Sequence, residues 1–187
     1  MSASMNVTLK VHPDSRQSAV VRVSADVVRT AKGVSLRYEL EGDTAALVIP
    51  ELSNPSRADE LWKHTCFELF VRRTDGDGYL EFNLSPTGEW AAYAFDGYRA
   101  GMADIGAIKA VPIGTRLMDR FFTLKAEIDL SGVSGLAMDA PWTVAVTSVI
   151  EAADGAKSYW ALAHPQGKPD FHHADGFVLN LPAPDHQ

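Results

Sequence analysis

Along most of the chain, apolar and polar residues alternate with a period of two. In DRFFTLKAEIDL, residues 119–130, Phe122, Leu124, Ala126, Ile128 and Leu130 fall on one face, and Thr123, Lys125, Glu127 and Asp129 on the other. That pattern predicts a half-buried strand. WTVAVTSVI, residues 142–150, is β-branched and almost wholly apolar, and predicts a central strand. In GYLEFNLSP, Leu80, Phe82 and Leu84 share one face, and Tyr79, Glu81 and Asn83 the opposite one. Further strands are predicted over 5–11, 18–29, 34–41, 44–50, 64–73, 89–95, 106–113, 158–163 and 176–181. Turn residues separate them: Glu-Gly-Asp at 41–43, Asp-Gly-Asp-Gly at 75–78, Pro-Thr-Gly at 86–88, Ser-Gly-Val-Ser-Gly at 131–135 and Asp-Gly at 154–155. Many short strands at this spacing point to a sandwich or a barrel. Only RADELWK, residues 57–63, reads as a turn or two of helix, and no linker or repeat divides the chain.

Composition narrows the partners. The 187 residues are 46% apolar and 22% charged, an ordinary balance for a chain with a sizeable core. The formal net charge of -7 argues against binding nucleic acid or an anionic membrane, both of which require a basic face. A neutral or cationic small ligand suits that balance better. The single cysteine, Cys66, permits no internal disulfide and lies within the apolar run CFELFV, a buried structural position. The first twenty residues contain no apolar stretch of signal-peptide length, so a cytoplasmic protein is expected.

Three places break the apolar pattern. In LWKHTCFELF, residues 61–70, Glu68 lies mid-strand between large apolar residues. It either faces water on the sheet's outer side or lines a polar pocket, since a buried carboxylate needs partners. In YLEFNLSPTGEW, residues 79–90, Glu81 and Asn83 share a strand face and read equally well as a cross-strand pair or as pocket lining. In SYWALAHPQGKPDFHH, residues 158–173, Trp160 precedes a loop bearing His164, Asp170, His172 and His173. The spacing matches no tight metal signature, and a hydrogen-bonded loop bordering a pocket is the preferred reading. Of the four tryptophans, Trp142 begins an apolar strand and reads as core, with Trp90 at the head of another strand. Trp62 and Trp160 sit beside turns, where they could stack on a ligand or pack on the sandwich edge.

Taken together, LWKHTCFELFV, YLEFNLSPTGEW, AFDGYRAGM and YWALAHPQGKPDFHH resemble the DOMON-like domains related to the family-nine carbohydrate-binding modules, over residues 61 to about 177. The resemblance implies a single all-β domain over residues 1–187: an antiparallel β-sandwich of two sheets, immunoglobulin- or jelly-roll-like, with a ligand pocket over one sheet. Sugar-binding members clamp a sugar between two tryptophans and bind its hydroxyls through acidic, amide and arginine side chains. Trp62 and Glu68 match the first tryptophan and the acidic residue; Trp160 is the candidate second tryptophan, and Asn83 and Arg99 the candidate polar contacts. Other DOMON relatives bind haem through axial methionine and histidine, for which Met102, His64 and His172 are the candidates. With His164 from the loop, the candidate ligand-binding set is Trp62, His64, Glu68, Asn83, Arg99, Trp160, His164 and His172, with no metal ligand and no catalytic residue. The expectation is a non-catalytic module for a small ligand, in particular a sugar or sugar derivative. A haem-binding redox module is one alternative, and a hydrolase built on the His164–His173 loop is another. No nucleophile motif, phosphate loop or paired-cysteine metal site is present in the sequence.

Overall fold

The computed structural model describes residues 4–16, 19–53 and 55–184; residue 18, the first of the strand expected over 18–29, and the two chain ends lie outside them. The described strands are β1 (Ser4–Thr8), β2 (Lys10–Val11), β3 (Val20–Arg29), β4 (Gly33–Gly42), β5 (Cys66–Arg72), β6 (Tyr79–Leu84), β7 (Trp90–Phe95), β8 (Ala103–Asp104), β9 (Ile113–Met118), β10 (Phe121–Asp129), β11 (Trp142–Glu151), β12 (Lys157–Ala161) and β13 (Leu179–Leu181). They form two antiparallel sheets. One runs β1-β3-β4-β10-β9; the other runs β2-β12-β11-β5-β6-β7-β8, with β13 also paired to β11. The all-β, two-sheet sandwich expected from the sequence is therefore what the chain adopts.

The period-two pattern decides which side chains meet between the sheets. Leu36, Tyr38 and Leu40 from β4 and Phe122 and Leu124 from β10 face Phe67 and Leu69 from β5, all of them buried. Phe67 stacks on Phe122 with ring centroids 5.7 Å apart. The Tyr38 hydroxyl, fully buried, donates to the Glu68 carbonyl at 2.6 Å and ties one sheet to the other. At one end of the core the Arg29 guanidinium lies 3.0 Å from the centroid of the Trp142 ring. Its Nη2 donates to the Met138 carbonyl at 2.9 Å, so the charge enters the core with partners.

Three predicted elements differ. Residues 44–50 form no strand: a 3-10 turn at Thr44–Ala46 is followed by a lone bridge from Leu47 to Ala152. The strand expected over 106–113 lies later, as β9, while Ile108 and Val111 plug the core from irregular chain. The helix expected over 57–63 shrinks to one 3-10 turn, Leu61–Lys63.

Both β12 and β13 pair with the same edge of β11, β12 along Thr147–Glu151 and β13 along Trp142–Val144. They run in the same direction, so residues 162–178 are looped out between them. That loop folds over the outer face of the eight-stranded sheet: Phe177 packs on Phe70 and Tyr79, and His172 on Phe70, Tyr79 and Phe95.

Candidate functional site

Beneath the loop the outer sheet face is unusually polar. Register places Glu68 directly opposite Thr147 on β11 and Asn83 on β6, and Glu81 opposite Phe70 on β5 and Tyr93 on β7. Both faces of β5 are buried: Phe67, Leu69 and Val71 in the sandwich interior, Cys66, Glu68 and Phe70 under the loop. Glu68 is 2% exposed and Glu81 5%, so both carboxyl groups sit inside the protein on the side a half-buried strand would give to water.

A cavity of about 380 Å³ opens above them. Its floor includes Glu68, Glu81 and Val149. Trp62 and Phe95 stand at its walls, Tyr159 and Phe171 add two further rings, and Arg99, Met102 and His172 reach in from the surrounding turns. Trp62 is 38% exposed, and its ring meets Tyr93 edge-on at 6.3 Å. Two non-glycine residues among the described residues have positive φ, Glu60 at 62° and Arg99 at 52°. Glu60 precedes the turn that carries Trp62, and Arg99 itself lines the cavity. Left-handed backbone at bulky residues persists only where the surroundings fix it, typically at binding sites. Gly101, at φ 67°, abuts Asp96 so closely that a Cβ would collide with its carboxylate, which holds the Arg99 turn tight.

Hydrogen bonds lock the polar groups. Thr147 Oγ1 donates to Glu68 Oε2 at 3.2 Å, and Asn83 Nδ2 to Glu81 Oε1 at 2.9 Å. Arg99 Nη2 donates to Asp170 Oδ1 at 2.8 Å, and Tyr98 to Asp170 Oδ2 at 2.5 Å, clasping the loop to the β7–β8 turn. The Tyr79 hydroxyl accepts from the Arg99 amide at 3.2 Å and lies 2.7 Å from His172 Nδ1. With that proton donated to Nδ1, the imidazole proton resides on Nε2, 3.9 Å from Glu81 Oε2, an assignment that follows from the hydrogen-bond pattern.

Burial governs the charge states. It pushes Glu68 well above the usual carboxylate range, with further upward pressure from Glu81 and a smaller downward pull from Thr147. Burial also pushes Glu81 up to about 7, against the downward pull of Asn83 and Arg99. His172 is pushed down to about 4, by burial first and by Arg99 second. Burial thus favours the protonated form of both floor carboxyls and the neutral form of the imidazole.

The other expected residues lie elsewhere. Trp160 is 5% exposed and belongs to the interior between the sheets, its Nε1 donating to Ser158 Oγ at 2.9 Å. Its neighbour Tyr159 has the opposite orientation and lines the cavity. The second aromatic wall is therefore Tyr159 with Phe171 rather than Trp160, because adjacent strand residues point to opposite faces. His64 is turned outward, its Nδ1 2.7 Å from Glu151 Oε2. His164 Nε2 contacts the Lys10 carbonyl at 2.8 Å, and its ring meets buried His12 edge-on at 4.8 Å. His173 caps the 3-10 turn Ala174–Gly176 by accepting from Asp175 N. The histidines of the 164–173 loop thus do not converge, and among the described residues no three His, Cys, Asp or Glu side chains gather to hold a metal ion.

Haem does not fit this arrangement. Met102 and His172 both reach the cavity, but Tyr79 holds His172 Nδ1, and Nε2 faces Glu81 rather than open space. The porphyrin would also lie on two buried carboxyl groups.

Sequence comparison finds no matching family model and no matching curated protein. Solved structures share the fold, two of them as follows. One is a candidate carbohydrate-binding protein from Bacteroides uniformis, with a TM-score of 0.68 and 17% identity over 95% of this chain and 85% of that one. The other is a family-nine carbohydrate-binding module from Caldicellulosiruptor kristjanssonii in complex with glucose, with a TM-score of 0.50 and 9% identity over 85% of this chain and 76% of that one. The chain is thus similar in fold to sandwiches that include a carbohydrate-binding module.

Proposed function

We propose that this protein is a DOMON-like binding module that takes a sugar or sugar derivative into the cavity over the eight-stranded sheet. The observation that carries the reading is a ring-walled hollow with buried hydrogen-bonding groups on its floor. A pyranose has apolar faces, which suit Trp62, Tyr159 and Phe171, and an edge of hydroxyls, which suits Glu68, Glu81 and Arg99. The fold shared with a glucose-binding family-nine module supports the same reading. The floor carboxyls serve as hydrogen-bonding groups in this role, and no nucleophile or activated water is invoked.

Isothermal titration against a panel of mono- and disaccharides tests the proposal. At least one sugar is expected to bind, and Trp62→Ala to weaken that binding by about tenfold, the scale of one lost stacking contact. If no sugar in the panel gives heat, or if Trp62→Ala binds as tightly as the wild type, the proposal fails.

A further inference from the structure

Two carboxyl groups, Glu68 and Glu81, stand side by side on the cavity floor. Several nearby donors are already engaged: Thr147 with Glu68, the Asn83 amide with Glu81, Arg99 Nη2 with Asp170, and Tyr98 with Asp170 as well. Asn83 is fully buried on the cavity face of the sheet, opposite Glu68, and its Oδ1 has no partner among the described residues. Asn83 lies behind the hollow rather than on its surface, whereas the Glu68 and Glu81 carboxyl groups line it with acceptor capacity to spare. A buried acceptor without a donor is costly, and two neighbouring buried carboxyl groups ionise together readily only beside a cation. Arg99 favours ionised Glu81 only in part, because its guanidinium is also paired with Asp170.

A primary ammonium group suits the carboxyl pair. It brings three N–H donors and one positive charge on a small head, and aromatic rings around a cation add a further attraction. Trp62, Phe95, Tyr159 and Phe171 supply such rings around the two carboxyls. A neutral hydroxyl brings a single donor and no charge.

We propose that the preferred occupant is an amino sugar, bound with its ammonium group at Glu68 and Glu81 and its ring against the aromatic walls. The inference rests on the sugar-binding reading above and names the chemical class of the ligand within it. Binding an ammonium favours the ionised carboxyls, so a proton leaves the floor as the ligand enters. The groups facing Glu81 are Glu68 and Cys66 from β5, Tyr79 from its own strand, Tyr93 from β7, and Arg99 and His172 from the covering turns. Of these, His172 is already neutral near neutrality, which leaves the carboxyl pair as the source of the released proton.

Titration calorimetry with D-glucosamine, D-glucose and N-acetyl-D-glucosamine tests this on the wild-type chain. Glucosamine is expected to bind about tenfold or more tighter than the other two, as befits a desolvated charged contact. Its affinity is expected to fall by up to about tenfold per pH unit as the pH drops below about 7, and its heat to depend on buffer ionisation. Glu81→Gln is expected to reduce the glucosamine-to-glucose affinity ratio below about threefold, since the amide keeps the shape and removes the charge. Glucose or N-acetylglucosamine binding as tightly as glucosamine, or glucosamine binding without proton release, overturns the amino-sugar inference and leaves the sugar-binding reading standing. No heat with any of the three, or with the wider panel, overturns both. The wild-type pH series tests the ammonium contact even if Glu81→Gln fails to fold.

Discussion

The two outer faces of the sandwich start from the same strand pattern and end in opposite chemistry. On the five-stranded sheet the outward residues of β3 and β4 form an open lattice of charges. Arg37 pairs with Glu39 at 3.0 Å and Asp26 at 3.4 Å, and Arg22 pairs with Glu41 at 3.4 Å and Glu39 at 3.7 Å. These arginines remain more than 40% exposed, and every carboxylate of the lattice has water as well as a partner. On the eight-stranded sheet the corresponding positions carry Glu68 and Glu81, and the loop at 162–178 closes over them. Polar alternation along a strand thus specifies which residues point away from the core, and the connectivity of a distant loop decides whether those residues meet water. A charge lattice in water is ordinary solubility; the same residue types under a roof make a site.

The difference should be largest in how stability depends on pH. Glu68 and Glu81 are held above the ordinary carboxyl value, Glu81 at about 7, so their stabilising protonated state is fully present below about pH 4.3 and is lost as the pH rises through their folded values. His172 acts in the opposite sense. Held down to about 4, it contributes stability that is present above about pH 6.5 and is lost as the pH falls through 4. Between about pH 4.5 and 6.5 the histidine offsets part of the carboxyls' effect, and stability falls as the pH rises. His172→Asn removes the offset, and stability should then fall more steeply with pH over the same window. Urea unfolding at half-unit pH steps measures both slopes. A variant slope equal to that of the wild type would mean that the roofed face titrates like the open one.

The roof itself supplies the next effect. Asp170 accepts from Tyr98, from Arg99 Nη2 and from the His172 amide, and so fastens the loop to the β7–β8 turn. Asp170→Ala should cost about 1–2 kcal/mol, the worth of hydrogen bonds to a partly buried charge. It should also speed amide exchange across residues 162–178 while leaving β10 protected. Exchange measured by mass spectrometry distinguishes this from a roof held by Phe171 and Phe177 alone, for which protection would be unchanged.

The strands were legible in the sequence where alternation was clean, as in β6, β10 and β11. The pattern misled where apolar residues serve as plugs: Leu47, Ile108 and Val111 enter the core from bridged or irregular chain, and burial without pairing looks like a strand in one dimension. The unusual position of Glu68 within CFELFV was readable, as was the shared face of Glu81 and Asn83. Trp160 was not, because Tyr159 and Trp160 are adjacent aromatic residues and the pattern leaves open which of them faces the core. Tyr159 takes the cavity position only because β12 pairs Tyr159 with Val149 and thereby with Cys66 on the Glu68 face. Phe171 and His172 depend on the looping out of residues 162–178, which is a fact of pairing with β11 that no local spacing encodes.

The smallest effect belongs to the open face. Arg37→Ala removes two ion pairs at once, yet both partners are solvated and Glu39 keeps Arg22 within 3.7 Å. Exposed pairs of this kind contribute about 0.2–1 kcal/mol, and part of that returns when the freed carboxylates take up water. Thermal unfolding of Arg37→Ala should therefore shift little at low salt and merge with the wild type at about 1 M salt, where the Debye length falls to about 3 Å. A loss of several kcal/mol that persisted at high salt would show that this lattice is as desolvated as the Glu68–Glu81 floor, and the contrast between the two faces would then have to come from geometry rather than from water.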